Sequence, residues 1–312
     1  MYRYIPSVLR TTVFFLLTQL FTSLASLAAT EQDKYLLVYY RQSASGNYDF
    51  YAKNLNYCPY QLQIEFSKLI SAEVTTPLPY YTVIQAQSNE QYLFSIRPKD
   101  EAAFSFKFAY NYWLGDPEQV VSGGDQTDYV LPYRAGTSLK VTQGYNGPYS
   151  HKDTYALDFE LLESTAICAA KDGLVVQTKE DSKRGGPDKT FAKDCNYITV
   201  YQLDGTIAEY VHLKQNGSIV SVGDTIHAGQ VIGYGGNTGW STSPHLHFCV
   251  KQPIKMGYET IPVKFLSAKS KKIALESNHT YRAYPPAKDE QPAPNSWRNL
   301  FGLIAHSSSH SL

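Results

Sequence analysis

From Tyr35 to about Trp113 the chain alternates apolar and polar residues with a period of two. Gln61-Leu62-Gln63-Ile64-Glu65-Phe66 is apolar at every second place. Tyr92-Leu93-Phe94-Ser95-Ile96 and Phe104-Ser105-Phe106-Lys107-Phe108 are similar. Successive side chains of a strand point to opposite faces, so such runs bury one face of a sheet and wet the other. Breaks fall at Asn56, Pro77, Pro79 and Pro98, and short strands at this spacing predict an antiparallel, Ig-like β-sandwich. It contains no catalytic constellation, so it reads as a structural or binding module.

The polar stretch from Gly115 to Asp128, with Gly123 and Gly124, reads as linker. A second β-rich region with Gly-Asp turns and few helical patterns runs from about Tyr129 to Tyr284. Beyond it, Pro285, Pro286, Pro292, Pro294 and a serine-rich end predict a disordered tail. The expected organisation is an export signal over 1–29, a sandwich over 30–121, a linker over 122–128, a second all-β domain over 129–284 and a tail over 285–312.

Composition narrows the function classes. The 312 residues exceed one comfortable core, in keeping with two domains plus extensions. Lysine plus arginine, at 28, equals aspartate plus glutamate, at 28, so nothing asks for nucleic acid or an anionic membrane as partner. Arg3 and Arg10 precede an uncharged stretch from Thr11 to Ala29 that ends in small residues. That is the pattern of a cleaved signal peptide, with an uncleaved anchor as the alternative. The chain is expected to be exported, periplasmic or secreted, with no stable membrane insertion after cleavage. Cys58, Cys168, Cys195 and Cys249 allow three disulfide connectivities that sequence does not separate. No CxxC is present, which argues against a cysteine-zinc knuckle.

The chemistry concentrates in the second region. Five of the eight histidines lie between His151 and His247, and two of them sit in Pro244-His245-Leu246-His247-Phe248. On a strand, His245 and His247 project to one face. Either they share a metal, or one binds it and the other handles protons. Three pieces carry the remaining candidates: Ser150-His151 with Tyr155-Ala156-Leu157-Asp158-Phe159, then Tyr210-Val211-His212-Leu213, then Gly233-Tyr234-Gly235-Gly236-Asn237-Thr238-Gly239.

These motifs, in this order, resemble the lysostaphin/LytM-type zinc metallopeptidases, which cut peptide bonds in bacterial cell walls. The likeness runs from roughly Leu139 to Lys264 and is best from Tyr210 to Val250. It implies a LytM-type all-β metallopeptidase domain acting on peptidoglycan peptides. It also implies that His151, Asp158 and His247 hold Zn²⁺ and that His212 and His245 form the non-ligand pair. One of that pair takes a proton from water, and the other stabilises the oxyanion or supplies the leaving amine. The glycines at 233, 235, 236 and 239 are expected to form a loop passing close to the site, where side chains would obstruct an extended peptide.

One spacing departs from the commoner family pattern. Six residues separate His151 from Asp158, where three are usual, and Thr154 stands where the usual histidine falls. The chain instead resembles a variant with serine-histidine, a short insertion and tyrosine-alanine-x-aspartate-phenylalanine. Asp153 is the alternative oxygen donor. The same departure keeps a second reading open, a catalytically inactive LytM-like module that binds wall or activates another hydrolase. Cys249 shares the face of His245 and His247, but two residues along a strand span about 6.6 Å, and a Zn–S bond is about 2.3 Å. It reads as a buried thiol or half of a disulfide. His227, in the turn after Asp224, reads as a satisfied core histidine.

Overall fold

The computed structural model describes residues 34–100, 103–121, 129–268 and 271–286, with the backbone of Thr11 and Thr12. Apart from those two positions, the expected export signal lies outside the described residues, as do the linker 122–128 and the tail from 287 on. The chain divides into two units, one up to Asp116 together with Ile254–Gly257, the other Pro117–Pro253 together with the chain from Tyr258 on. No helix among the described residues is long and apolar enough to cross a membrane.

The first unit is built from two antiparallel sheets. One orders Leu36–Gln42, Tyr48–Asn54, Gln91–Pro98 and Ala72–Val74, and the other places Tyr60–Ile70 between Ser105–Leu114 and Tyr80–Ile84. The alternation in sequence becomes alternation in burial, most cleanly over Tyr48–Asn54, where every second residue is buried. Aromatic rings fill the interior. Phe50 stacks on Phe94 at 4.7 Å between centroids and meets Phe108 edge-on at 5.0 Å. Each fully buried phenylalanine contributes about 1.5–3 kcal/mol of transfer free energy, so this cluster holds the two sheets together.

The second unit is also mainly β. Its large sheet runs Thr225–Ile226, Gly173–Lys179, Tyr197–Tyr201, Ile207–Val211, His245–Ile254, Ala156–Glu160, Ser138–Gln143 and Thr280–Arg282, with Gly257–Thr260 paired to His245–Ile254 off this path. A three-stranded sheet of Ala166–Cys168, Val231–Gly235 and Leu213–Ser218 accompanies it. Leu157, Phe159, Ile198, Val200, Tyr210, Leu246 and Phe248 of the large sheet are buried in one core with Ile167, Leu213 and Ile232 of the smaller. The period-two rule then forces the alternate residues, Asp158, His245 and His247 among them, onto the opposite face. Fold class thus follows the sequence expectation of a mainly β chain.

Two readings are corrected here. His227 is not a core histidine: its side chain is half exposed in the turn, and its Nδ1 lies 3.2 Å from Asp172 Oδ2. A turn that reverses the chain at the sheet edge leaves its side chains in water. The glycines also serve a different purpose from clearance for a peptide. Gly233 and Gly235 lie within a strand, and a Cβ there would meet Gly217 O at 2.7 Å or Leu161 Cδ2 at 2.7 Å. A Cβ on Gly236 would meet the Lys214 backbone at 2.5 Å. Close approach of neighbouring chain segments excludes a side chain at these three positions.

Candidate active site

Asp158 and His247 occupy directly paired positions on the antiparallel strands Ala156–Glu160 and His245–Ile254. Side chains opposite one another in such a pair have Cβ atoms about 4.5–5.5 Å apart, so register alone brings carboxylate and imidazole together. Asp158 Oδ1 lies 3.0 Å from His247 Nδ1. His151 arrives by another route, on the loop that follows the strand Ser138–Gln143. Its Nε2 lies 3.2 Å from Asp158 Oδ1 and 3.2 Å from His247 Nδ1. The longer insertion between His151 and Asp158 therefore does not keep the imidazole away. Asp153, the alternative donor, is exposed on that insertion and stands outside the cluster.

The orientation of each donor is fixed from behind. His151 is fully buried, and its Nδ1–H donates to Gly144 O at 3.1 Å, which leaves the lone pair on Nε2. Asp158 Oδ2 accepts from Gln143 Nε2 at 2.8 Å, so Oδ1 is the oxygen turned to the two histidines. Burial pushes the Asp158 carboxyl up, but hydrogen bonds and charge from His151 and His247 outweigh it and hold the group well below the usual carboxylate range.

His212 and His245 stand beside this cluster with ring centroids 4.5 Å apart. Both have Nδ1 tied to a backbone carbonyl, His212 to Thr238 O at 2.7 Å and His245 to Ser243 O at 2.8 Å. Each therefore carries its proton on Nδ1 and presents an Nε2 lone pair. His245 Nε2 is 3.8 Å from Asp158 Oδ1. Burial, joined by the charges of His245 and His247, lowers His212 to about 3, and burial also lowers His245. His212 takes a left-handed backbone, φ 68°, between the strands Ile207–Val211 and Leu213–Ser218. That conformation costs an ordinary residue about 1–2 kcal/mol, and it turns the imidazole out of the strand line.

Three atoms, His151 Nε2, His247 Nδ1 and Asp158 Oδ1, thus form a triangle with edges of 3.0–3.2 Å. Bonds of about 2.0–2.2 Å to a tetrahedral ion give donor–donor separations of about 3.3 Å. Two imidazoles and a carboxylate also match the donor preferences of a borderline divalent metal. Donor chemistry and spacing therefore both fit a metal ion, and these three residues form a group within metal-binding reach.

Residues 152–259 match the profile described as peptidase family M23. The second unit carries a peptidase family M23 domain. The matched segment begins one residue after His151 and contains Asp158, His212, His245 and His247. The M23 domain is 37% identical over 116 residues to the glycyl-glycine endopeptidase ALE-1 of Staphylococcus capitis, covering 36% of this chain and 29% of that protein. It is 32% identical over 91 residues to the peptidoglycan DD-endopeptidase ShyA of Vibrio cholerae, covering 29% of this chain and 18% of that protein. The catalytic domain of the antimicrobial peptidase lysostaphin from Staphylococcus simulans aligns at 28% identity and TM-score 0.30, over 40% of this chain and 87% of that structure. This chain spans less than a third of the length of the two curated relatives. An M23 metallopeptidase domain implies a metal ion, and His151, Asp158 and His247 are the group among the described residues of this domain whose ligand atoms lie within reach of one.

Several neighbours of the site carry no signal in the sequence. Gln143 is one glutamine in a strand, and the carbonyls of Gly144, Thr238 and Ser243 are backbone groups. Cys195 Sγ lies 3.4 Å from His212 Nδ1, although 17 residues separate them in sequence. Cys168, Cys195 and Cys249 are free thiols, and burial pushes Cys168 and Cys195 up to about 11 and Cys249 up to about 12.

Proposed function

We propose that this chain is an exported zinc metalloendopeptidase that hydrolyses peptide bonds in peptidoglycan cross-links. The observation that carries the reading is the triangle of His151 Nε2, Asp158 Oδ1 and His247 Nδ1, with two further imidazoles beside it. The relatives named for glycyl-glycine and peptidoglycan endopeptidase activity support the substrate class.

His151, Asp158 and His247 would hold the zinc. When bound, zinc supplies Lewis acidity toward a peptide carbonyl and acidifies water to a pKa of about 7. The protein's own groups do the rest. Asp158 brings one negative charge and is kept ionised by its histidine neighbours. His212 and His245, whose Nδ1–H groups donate to the carbonyls of Thr238 and Ser243, offer Nε2 as proton acceptors. One takes the proton from the attacking water. That proton, passed on to Nε2 of the other, lets the second ring donate to the developing oxyanion or supply the leaving amine.

Purified protein incubated with isolated cell walls tests this reading. Soluble fragments should appear, excess chelator should abolish their release, and added zinc should restore it. Mass spectrometry of fragments from wild type and His247→Ala identifies the bond cut. Undiminished release in chelator overturns the proposal. A protein that purifies without stoichiometric zinc and releases nothing is instead the inactive wall-binding module.

A further inference from the structure

Gln143 is nine-tenths buried and makes every hydrogen bond its amide allows. Its Oε1 accepts from Tyr149 N and Ser150 N, both at 3.1 Å. Its Nε2 donates to Ser150 Oγ and to Asp158 Oδ2, both at 2.8 Å. The amide cannot be turned over, because that would set its NH₂ against two backbone donors. One side chain therefore grips both the carboxylate of Asp158 and the loop that ends in His151. The next residue completes the grip, since Gly144 O holds His151 Nδ1–H.

We infer that Gln143 is a positioning residue for the metal triangle, setting the angle of Asp158 and holding the segment Tyr149–Ser150 that leads into His151 so that its imidazole reaches the same point. The inference rests on the proposed metal site and adds to it the group that seats His151 from the side of the preceding loop. Strand register delivers Asp158 and His247 without help, but nothing in the register places His151. The loop is anchored instead by the two backbone N–H groups that Gln143 accepts. Space for the amide is provided by Gly147, where a Cβ would meet Gln143 Cγ at 2.4 Å and Oε1 at 3.0 Å. Gly147→Ala therefore pushes the amide aside and also crowds Gly144 O, the tether of His151, at 3.0 Å, while touching none of the three donors.

The test is zinc affinity by competition with a chromophoric chelator, alongside thermal unfolding of the metal-free and zinc-loaded full chain. Outer partners of metal ligands typically govern affinity by about 10–100-fold. Gln143→Met and Gly147→Ala should each weaken zinc binding by that factor and shrink the rise in Tm that zinc gives. A residue with only a structural role would lower both melting temperatures together and leave affinity alone. Affinity within about threefold of wild type in either folded variant overturns the inference. If wild type and His247→Ala bind zinc equally weakly, the metal site itself is wrong, which is a separable outcome. Should Gln143→Met not fold, Gln143→Glu takes its place beside Gly147→Ala: it keeps the size of the side chain but turns a carboxylate on Asp158 Oδ2, and should weaken zinc binding by the same factor.

Discussion

Asp158 and His247 lie opposite each other on adjacent antiparallel strands, and their facing atoms, Oδ1 and Nδ1, are 3.0 Å apart. A contact fixed by strand register is insensitive to side-chain rearrangement elsewhere. It makes these two residues the firmest part of the donor triangle, and their replacement the cleanest way to separate metal loss from misfolding. Asp158→Asn should retain the fold and lose stoichiometric zinc, because a neutral amide oxygen is a poor substitute for a carboxylate between two imidazoles. Metal content by atomic emission and circular dichroism on the same sample check this.

His212 should behave in the opposite way. Its imidazole is outside the triangle, so His212→Ala should keep zinc while fragment release falls by about 10²–10⁴-fold, the usual contribution of a general acid or base. Turnover on a defined muropeptide, with zinc content measured in parallel, distinguishes the two classes of variant. Loss of zinc in His212→Ala would reassign it as a ligand.

Gly185 packs where no side chain fits: a Cβ there would meet Asn237 O at 1.8 Å and Thr238 Cα at 3.2 Å. Gly185→Ala should destabilise the fold by about 1–3 kcal/mol, the typical cost of overpacking. It should also lower the turnover rate, since the displaced segment carries the Thr238 carbonyl that orients His212. Urea unfolding and steady-state rates measure the two effects.

Away from the site, Lys171 Nζ and Asp204 Oδ2 form a buried ion pair at 2.7 Å. Lys171→Met strands the carboxylate and should cost about 3–5 kcal/mol, whereas a double variant that also replaces Asp204 by leucine should recover part of the loss. Denaturant midpoints of the two variants give the comparison.

The cysteines give a fifth expectation. With burial raising Cys168 and Cys195 to about 11 and Cys249 to about 12, very little thiolate is present at neutral pH. Iodoacetamide at pH 7 should leave these three thiols unmodified in the folded protein. Unfolding without reductant should expose free thiols at Cys168, Cys195 and Cys249. A disulfide found by mass spectrometry would contradict this.

Much of the fold was legible because period-two alternation has a single physical meaning: one face buried, one face wet. The same rule placed His245 and His247 on one face. It was silent on which distant strand lies opposite, since register across a gap of 89 residues leaves no trace in local pattern. The resemblance to a known family supplied that link. Gln143 stayed invisible for a different reason. A polar residue at a strand end looks like any solvent-facing position until its four partners are known. The glycines were misassigned because a requirement for empty space does not say what occupies the neighbourhood. Nor does local sequence separate a turn histidine such as His227 from a core one.

The left-handed turn at His212 links two sheets by a single residue, with Val211 in the large sheet and Leu213 buried at the edge of the smaller one. Any relative sliding of those layers would swing this imidazole before it disturbed the triangle. Of the five site residues, it is therefore the natural gauge of how well the layers are seated, and its ring resonances should broaden first on mild warming.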